Sequence, residues 1–243
     1  MIISHKHKFI YIKNRKVGST SAEKALQAIC GPDDVLTPDH IHKSEHDVLL
    51  PLARNWDGRF NPLRELSGAR TPIDAARIIR DFAKRPKFYN HMRASSVRAR
   101  IPRDIWDSYY KFCVERNPWD KTVSFYYWFS RGNPVTDIDS FYQNYTQYGS
   151  KDQVFPSDWT RYTAGNRVIV DDVFDFADMT GGIITGLQRA GVPDAVIDQV
   201  EMTREKANVR KKDAVQFAPE TDALIRKIFK REIATFPFCR EPL

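Results

Sequence analysis

Two short runs of β-branched and aromatic residues, each followed at once by a polar loop and then a helical pattern, constrain the fold of this chain more than any other feature. Lys8 to Lys13 (KFIYIK) and Tyr109 to Val114 (YYKFCV) both have the make-up of strands. After the first, the residues from Ser19 onward set Ala22, Ala25, Leu26 and Ile29 on one helical face, until Gly31 and Pro32 stop the helix. After the second, Asn117 caps a helix with Pro118 at its first position and Asp120 in its first turn, running to about Arg131. Strand, loop, helix, twice over, predicts an α/β fold with a central, mostly parallel sheet flanked by helices, whose ligands bind at the carboxyl ends of the strands. Chemistry is therefore expected in the two loops.

The rest of the chain fills in around these units. Residues 33–70 are polar and broken by prolines and glycines, which reads as an insertion or a lid on the acceptor side. Thr71, Pro72 and Asp74 start a helix that carries Ile78, Ile79 and Phe82 on one face and ends before Pro86. Lys87 to His91 is expected to be a short strand ending in a histidine, and Ala94 to Ile101 a short basic helix. Downstream, Ile138 to Tyr145 reads as an aromatic helix, Val168 to Val170 as a short strand, and Asp178 to Ala190 and Pro193 to Thr203 as two helices. Glu205 to Lys212 is a basic loop, and Pro219 to Phe236 a closing helix. With 243 residues and no internal repeat, one domain spanning 1–243 is expected.

Composition narrows the partner. A formal net charge of +7 favours an anion: phosphate, sulfate, nucleic acid, an acidic sugar or a lipid surface. Nucleic acid is not expected, because acids such as Asp104, Asp107, Glu115 and Asp120 interrupt the basic stretches. Cys30, Cys113 and Cys239 are widely spaced and form no disulfide or zinc pattern, and no stretch approaches the roughly 18 apolar residues of a membrane span. A soluble, cytoplasmic protein is the expectation.

The first loop, Lys13 to Ser21 (KNRKVGSTS), suits a tetrahedral anion. Gly18 lets the backbone approach a ligand closely, and three hydroxyl residues at a helix start add donors to the open N–H groups of its first turn. The nucleoside-triphosphate pattern GxxxxGK[ST] does not fit, since Lys16 precedes Gly18 and no glycine stands five residues upstream. In the second loop, Arg116 at a strand end offers a planar fork for a phosphate, and Ser124 lies two turns into the next helix.

Taken together, Phe9 to Ser21 (FIYIKNRKVGSTS) and Phe112 to Phe129 (FCVERNPWDKTVSFYYWF) resemble the sulfotransferases that use 3′-phosphoadenylyl sulfate, in particular Golgi carbohydrate sulfotransferases and their soluble bacterial relatives. The resemblance implies a P-loop-like three-layer fold, 3′-phosphoadenylyl sulfate as donor, adenosine 3′,5′-bisphosphate as product, no metal, and a small-molecule or glycan acceptor. By position, Lys16, Gly18, Ser19, Thr20 and Ser21 would hold the 5′-phosphosulfate, and Arg116 and Ser124 the 3′-phosphate. Phe88 to Arg93 is similar to the segment where uronyl 2-O-sulfotransferases carry a catalytic histidine, which points to His91. Arg210, Lys211 and Lys212, followed by Phe229 to Phe236, look like the basic loop that closes on the donor and the final helix. One departure is Ala177 in Val170 to Asp178, where members often have a glutamate.

Sulfuryl transfer asks a protein to align nucleophile, sulfur and leaving oxygen, much as phosphoryl transfer does. Lys16 would hydrogen-bond the departing oxygen, and His91 would take the acceptor proton, since an ordinary imidazole titrates near neutral pH. Glu45 is the reserve candidate for that base. His40, His42 and His46 read as surface residues and not as a metal site, and most of Tyr126 to Phe129 as core. The competing functions are a nucleotide-dependent kinase and a non-catalytic protein that binds a nucleotide or sulfated ligand.

Overall fold

A computed structural model describes residues 1–38, 53–130, 137–144, 155, 157–200 and 215–242. Its sheet begins one strand earlier than the hydrophobic pattern suggested. β1 (Ile2–Ser4) turns back through residues 5–8 into β2 (Phe9–Ile12), with Ser4 opposite Phe9. The Asp34 carboxylate holds this turn, accepting from the Ser4 hydroxyl at 2.8 Å and from the backbone N–H of His5 at 2.6 Å. α1 (Ser19–Gln27) follows β2 and leads to β3 (Val35–Leu36), which pairs with the far side of β1. The start of the expected insertion thus belongs to the sheet, and Leu36 also bridges Arg54.

Next come α2 (Leu63–Leu66), α3 (Pro72–Lys84), α4 (Ala94–Arg100) and α5 (Arg103–Ser108), then β4 (Tyr110–Glu115) and α6 (Pro118–Ser130). The capping expectations hold: Thr71 Oγ1 accepts from Asp74 N at 3.1 Å, and Asn117 Oδ1 accepts from Trp119 N at 3.1 Å. Lys87 to His91 is not a strand. Its N–H groups at Lys87 and Phe88 instead donate to the carbonyls of Gly58 and Trp56, and His91 turns the chain with φ 55°.

After α7 (Ile138–Gln143) and the short helix α8 (Trp159–Tyr162), β5 (Thr163–Ala164) and β6 (Arg167–Val168) form a small hairpin, so the strand expected at Val168 to Val170 ends at Val168. The next sheet strand is β7 (Asp172–Asp175). The final expected helix is two, Pro219–Ile228 and Lys230–Thr235, broken at Phe229.

The sheet order is β3-β1-β2-β4-β7; β2 runs parallel to β4 and β4 to β7, with only β1 reversed. Alternation along the strands builds a core on each face. Ile2, Phe9, Tyr11, Phe112 and Val114 pack with α1 and the helix Met179–Arg189, whereas Ile3, Ile10, Ile12 and Cys113 pack with α4, α5 and α8. Each fully buried side chain of this size stabilises by roughly 1.5–3 kcal/mol. Helix Met179–Arg189 lies close to the sheet because Gly182 has no side chain; a Cβ there would sit 2.6 Å from Phe174 Cβ. A third cluster, around Trp119, Phe141 and Phe229, joins α6 and α7 to the C-terminal helices.

Candidate functional site

The parallel pairing of β2 with β4, Ile12 opposite Cys113, brings the two expected loops side by side at one end of the sheet. Two hydrogen bonds tie them. Asn14 Nδ2 donates to the Val114 carbonyl at 2.9 Å, and Arg116 Nη1 donates to the Lys16 carbonyl at 2.9 Å. Arg116 Nε also donates to Asp120 Oδ2 at 2.5 Å, and the guanidinium carbon lies 4.2 Å from the centroid of the Phe176 ring. Burial pushes the Arg116 guanidinium down to about 10, which leaves it charged at neutral pH. Its described bonds use two of its five donors.

Of the three cations in the first loop, two are turned inward. Lys13 Nζ donates to Glu23 Oε2 at 2.5 Å in full burial, and Arg15 Nε donates to Asp158 Oδ1 at 2.8 Å. Lys16 differs: its backbone is left-handed (φ 59°) and its ammonium stands 5.4 Å from the centroid of the exposed Trp128 ring. Gly18 caps α1 with φ 64°, and a Cβ there would lie 3.1 Å from the Phe176 ring and 3.2 Å from the Met179 methyl. Only glycine meets both demands. Ser19 and Ser21 are buried and Thr20 half-buried in the first turn of α1, whose N–H groups have no intrahelical acceptor. Ser124 shares the face of α6 that carries Asp120 and Trp128, one turn from each.

His91 flanks the same loop on its other side. Its Nδ1 lies 3.2 Å from the Lys13 carbonyl, which can only accept, so Nδ1 carries the proton and Nε2 is the open acceptor. Burial, and then the cations Lys13 and Arg161, push the imidazole down to about 3. The expectation of an ordinary histidine is therefore corrected: His91 is neutral across the physiological range, and it is a weaker base than a free imidazole.

One carboxylate that the sequence did not single out organises all three segments. Asp158 accepts from the backbone N–H and side chain of Arg15, from Lys121 Nζ at 2.8 Å and from Arg161 Nε at 2.6 Å. Arg161 in turn donates to the His91 carbonyl. Burial alone would raise the Asp158 carboxyl, but Arg15, Lys121 and Arg161 hold it well below the usual carboxylate range. Lys121 also reaches Glu115 Oε1 at 2.6 Å; burial outweighs that pairing and pushes Glu115 up to about 7. Asp158 takes the negative charge because it has three cationic neighbours, and Glu115 has one. Phe176, at the carboxyl end of β7, was missed as well, because no strand was expected over Asp172–Asp175.

Arg210, Lys211, Lys212, His40, His42, Glu45 and His46 lie outside the described residues. Among the described residues no group of three or more metal-ligating side chains occurs, and no helix is long and apolar enough to cross a membrane. An open concavity of about 290 Å³, lined by Arg59, Phe60 and Phe82 to Arg85, contains none of the candidate residues.

No family model and no solved structure matches the chain. A protein of Archaeoglobus fulgidus, described as uncharacterized, is 26% identical over 107 residues, covering 42% of this chain and 85% of that protein. The likeness brings no activity with it.

Proposed function

We propose that the protein is a sulfotransferase that moves a sulfuryl group from 3′-phosphoadenylyl sulfate to a hydroxyl or amine of a small-molecule or glycan acceptor, on a P-loop-like fold. The observation that carries this reading is the bond from Arg116 to the Lys16 carbonyl, which joins two anion-suited loops across adjacent parallel strands. A nucleotide with phosphates at both ends of its ribose needs two such sites at fixed separation. In this reading the first-turn N–H groups at Ser19, Thr20 and Ser21 bind the 5′-phosphate, and Arg116 with Ser124 binds the 3′-phosphate. The family resemblance assigns Arg210, Lys211 and Lys212, which lie outside the described residues, to the latter as well.

Transfer breaks the bond from sulfur to the bridging phosphate oxygen and forms one to the acceptor oxygen, which loses its proton. Lys16 stabilises the charge that collects on the departing oxygen. His91 Nε2 takes the proton. The bound anion offsets the field of Lys13 and Arg161, the smaller causes of the low basicity of His91, while burial, the larger cause, still keeps it a weak base.

Isothermal calorimetry on the purified chain tests the reading. Adenosine 3′,5′-bisphosphate is expected to bind without metal and ATP with magnesium to bind far more weakly; the reverse order supports a kinase. Sulfate transfer from labelled donor across a panel of glycans, phenols and amines then separates an enzyme from a protein that only binds the nucleotide.

A further inference from the structure

α3 is inside out. The side chains it turns toward the protein are mostly ionic: Asp81 accepts from the Tyr89 hydroxyl at 2.8 Å, Arg77 lies 3.5 Å from both Glu65 and Asp81, and Asp74 is 3.8 Å from Arg93. Ile78 is the one large apolar side chain of the helix that is buried. The outward arc is largely apolar, with Arg80 and Lys84 among it. Ile73 is 81% exposed, Ile79 58% and Phe82 42%, with Pro72 and Ala76 exposed between them. On neighbouring α2, Leu63 is 68% exposed. These are four of the five large exposed hydrophobic side chains among the described residues, and they fall within about twenty positions of one another.

The positive charge of the chain is concentrated in the stretch of sequence that contains this helix. Residues 53–103 hold thirteen Lys and Arg against four Asp and Glu, an excess of nine in a chain whose net charge is +7. Arg80, on the outward arc, is 57% exposed. Beside Phe82, the open concavity is lined by Arg59, Lys84 and Arg85 over the Phe60 ring, a cationic recess of headgroup size.

We propose that α3 seats the protein on an anionic lipid surface, with Ile73, Ile79 and Phe82 entering the acyl boundary and the Arg59, Lys84 and Arg85 recess taking a lipid phosphate. A basic rim around an apolar helix face is the pattern of an interfacial helix, and both halves act together: the cations draw the protein to the negative leaflet and the apolar stripe then leaves water. A solvated polyanion would satisfy the cations but leave Ile73 and Ile79 wet. A second copy of the chain would cover the isoleucines but bring two like-charged rims together. Of the three, only an anionic bilayer accommodates both features. The inference stands independently of the sulfotransferase reading.

Flotation of the full chain with vesicles of phosphatidylcholine alone, and of equimolar phosphatidylcholine and phosphatidylglycerol, tests it. The wild type is expected to float with the anionic vesicles only and to be released by salt. The double variant Ile73→Ser, Ile79→Ser is expected to lose binding by about tenfold or more, with its circular dichroism and unfolding midpoint unchanged because both positions face solvent. The pair Arg59→Gln, Lys84→Gln removes two of the three recess cations and leaves Ile73, Ile79 and Phe82 in place, and is expected to weaken flotation also. No flotation of the wild type, or equal flotation of the isoleucine variant, overturns the proposal. So does a wild-type dimer in light scattering that the isoleucine variant abolishes, or binding to dextran sulfate without binding to vesicles.

Discussion

At the scale of single residues, the backbone marks the side chains to which chemistry is assigned. Four residues other than glycine have clearly positive φ among those described, and two of them are Lys16 and His91. Left-handed backbone costs an L-residue roughly 1–2 kcal/mol, so it persists where neighbours over-determine it. Arg116 holds the Lys16 carbonyl, and Arg161 holds that of His91. If Arg116 binds the 3′-phosphate as proposed, replacing it by alanine removes two or more charged hydrogen bonds to that phosphate, and bisphosphate affinity is expected to fall about a hundredfold in calorimetry. Lysine at the same position restores charge without the fork, and is expected to recover only part of the loss. His91→Gln is expected to bind bisphosphate like the wild type and to lose sulfate transfer; near-normal turnover would remove His91 from the mechanism. Lys16, Gly18, Ser19 to Ser21 and Arg116 were readable as candidates from their types and order in two loops, which the structure brings side by side. Asp158 was not, since the main partner of its carboxylate in the first loop is 143 positions away.

Among the elements, the site is only as firm as the ionic cluster beneath it. Asp158 binds the first loop, α6 through Lys121, and the His91 segment through Arg161. Asp158→Asn leaves three cations without their shared counter-charge in a buried place, and is expected to cost about 3–5 kcal/mol in urea unfolding. Bisphosphate affinity of the folded variant is expected to drop as well, because the loops lose their common anchor. The local elements β2, β4, α1 and α6 were legible, since strand composition and caps act within a few residues. Lys87 to His91 has a strand's composition but forms none, because Gly58 and Trp56 offer carbonyls to its N–H groups first. The one expected C-terminal helix divides at Phe229, which is buried in the third cluster.

For the whole molecule, two buried groups pull stability in opposite directions with pH. The His91 imidazole sits at about 3, below its ordinary value, so the unfolded chain binds its proton first; stability from His91 is complete above about pH 6.5 and is lost as pH falls below that. The Glu115 carboxyl sits at about 7, above its ordinary value; its contribution is complete below about pH 4.5 and is lost as pH rises through 7. Between about pH 5 and 6.5 the slopes oppose. His91→Gln removes one of them, so the variant is expected to be relatively more stable near pH 5 than near pH 7 when unfolding midpoints are compared with those of the wild type. An unchanged pH profile would mean that the imidazole is not held neutral by its surroundings.

The sequence by itself determined the α/β class, the two strand–loop–helix units and the anion-suited residues in their loops, because alternation, capping and glycine placement are local physics. Tertiary structure alone decided that β2 and β4 are neighbours, that Lys13 and Arg15 turn inward while Lys16 stands by Trp128, and that burial strips His91 of its proton. It also decided the orientation of α3: the periodicity of Ile78, Ile79 and Phe82 announces a helix, but which face meets the protein depends on partners such as Glu65, Tyr89 and Arg93, whose positions only packing sets.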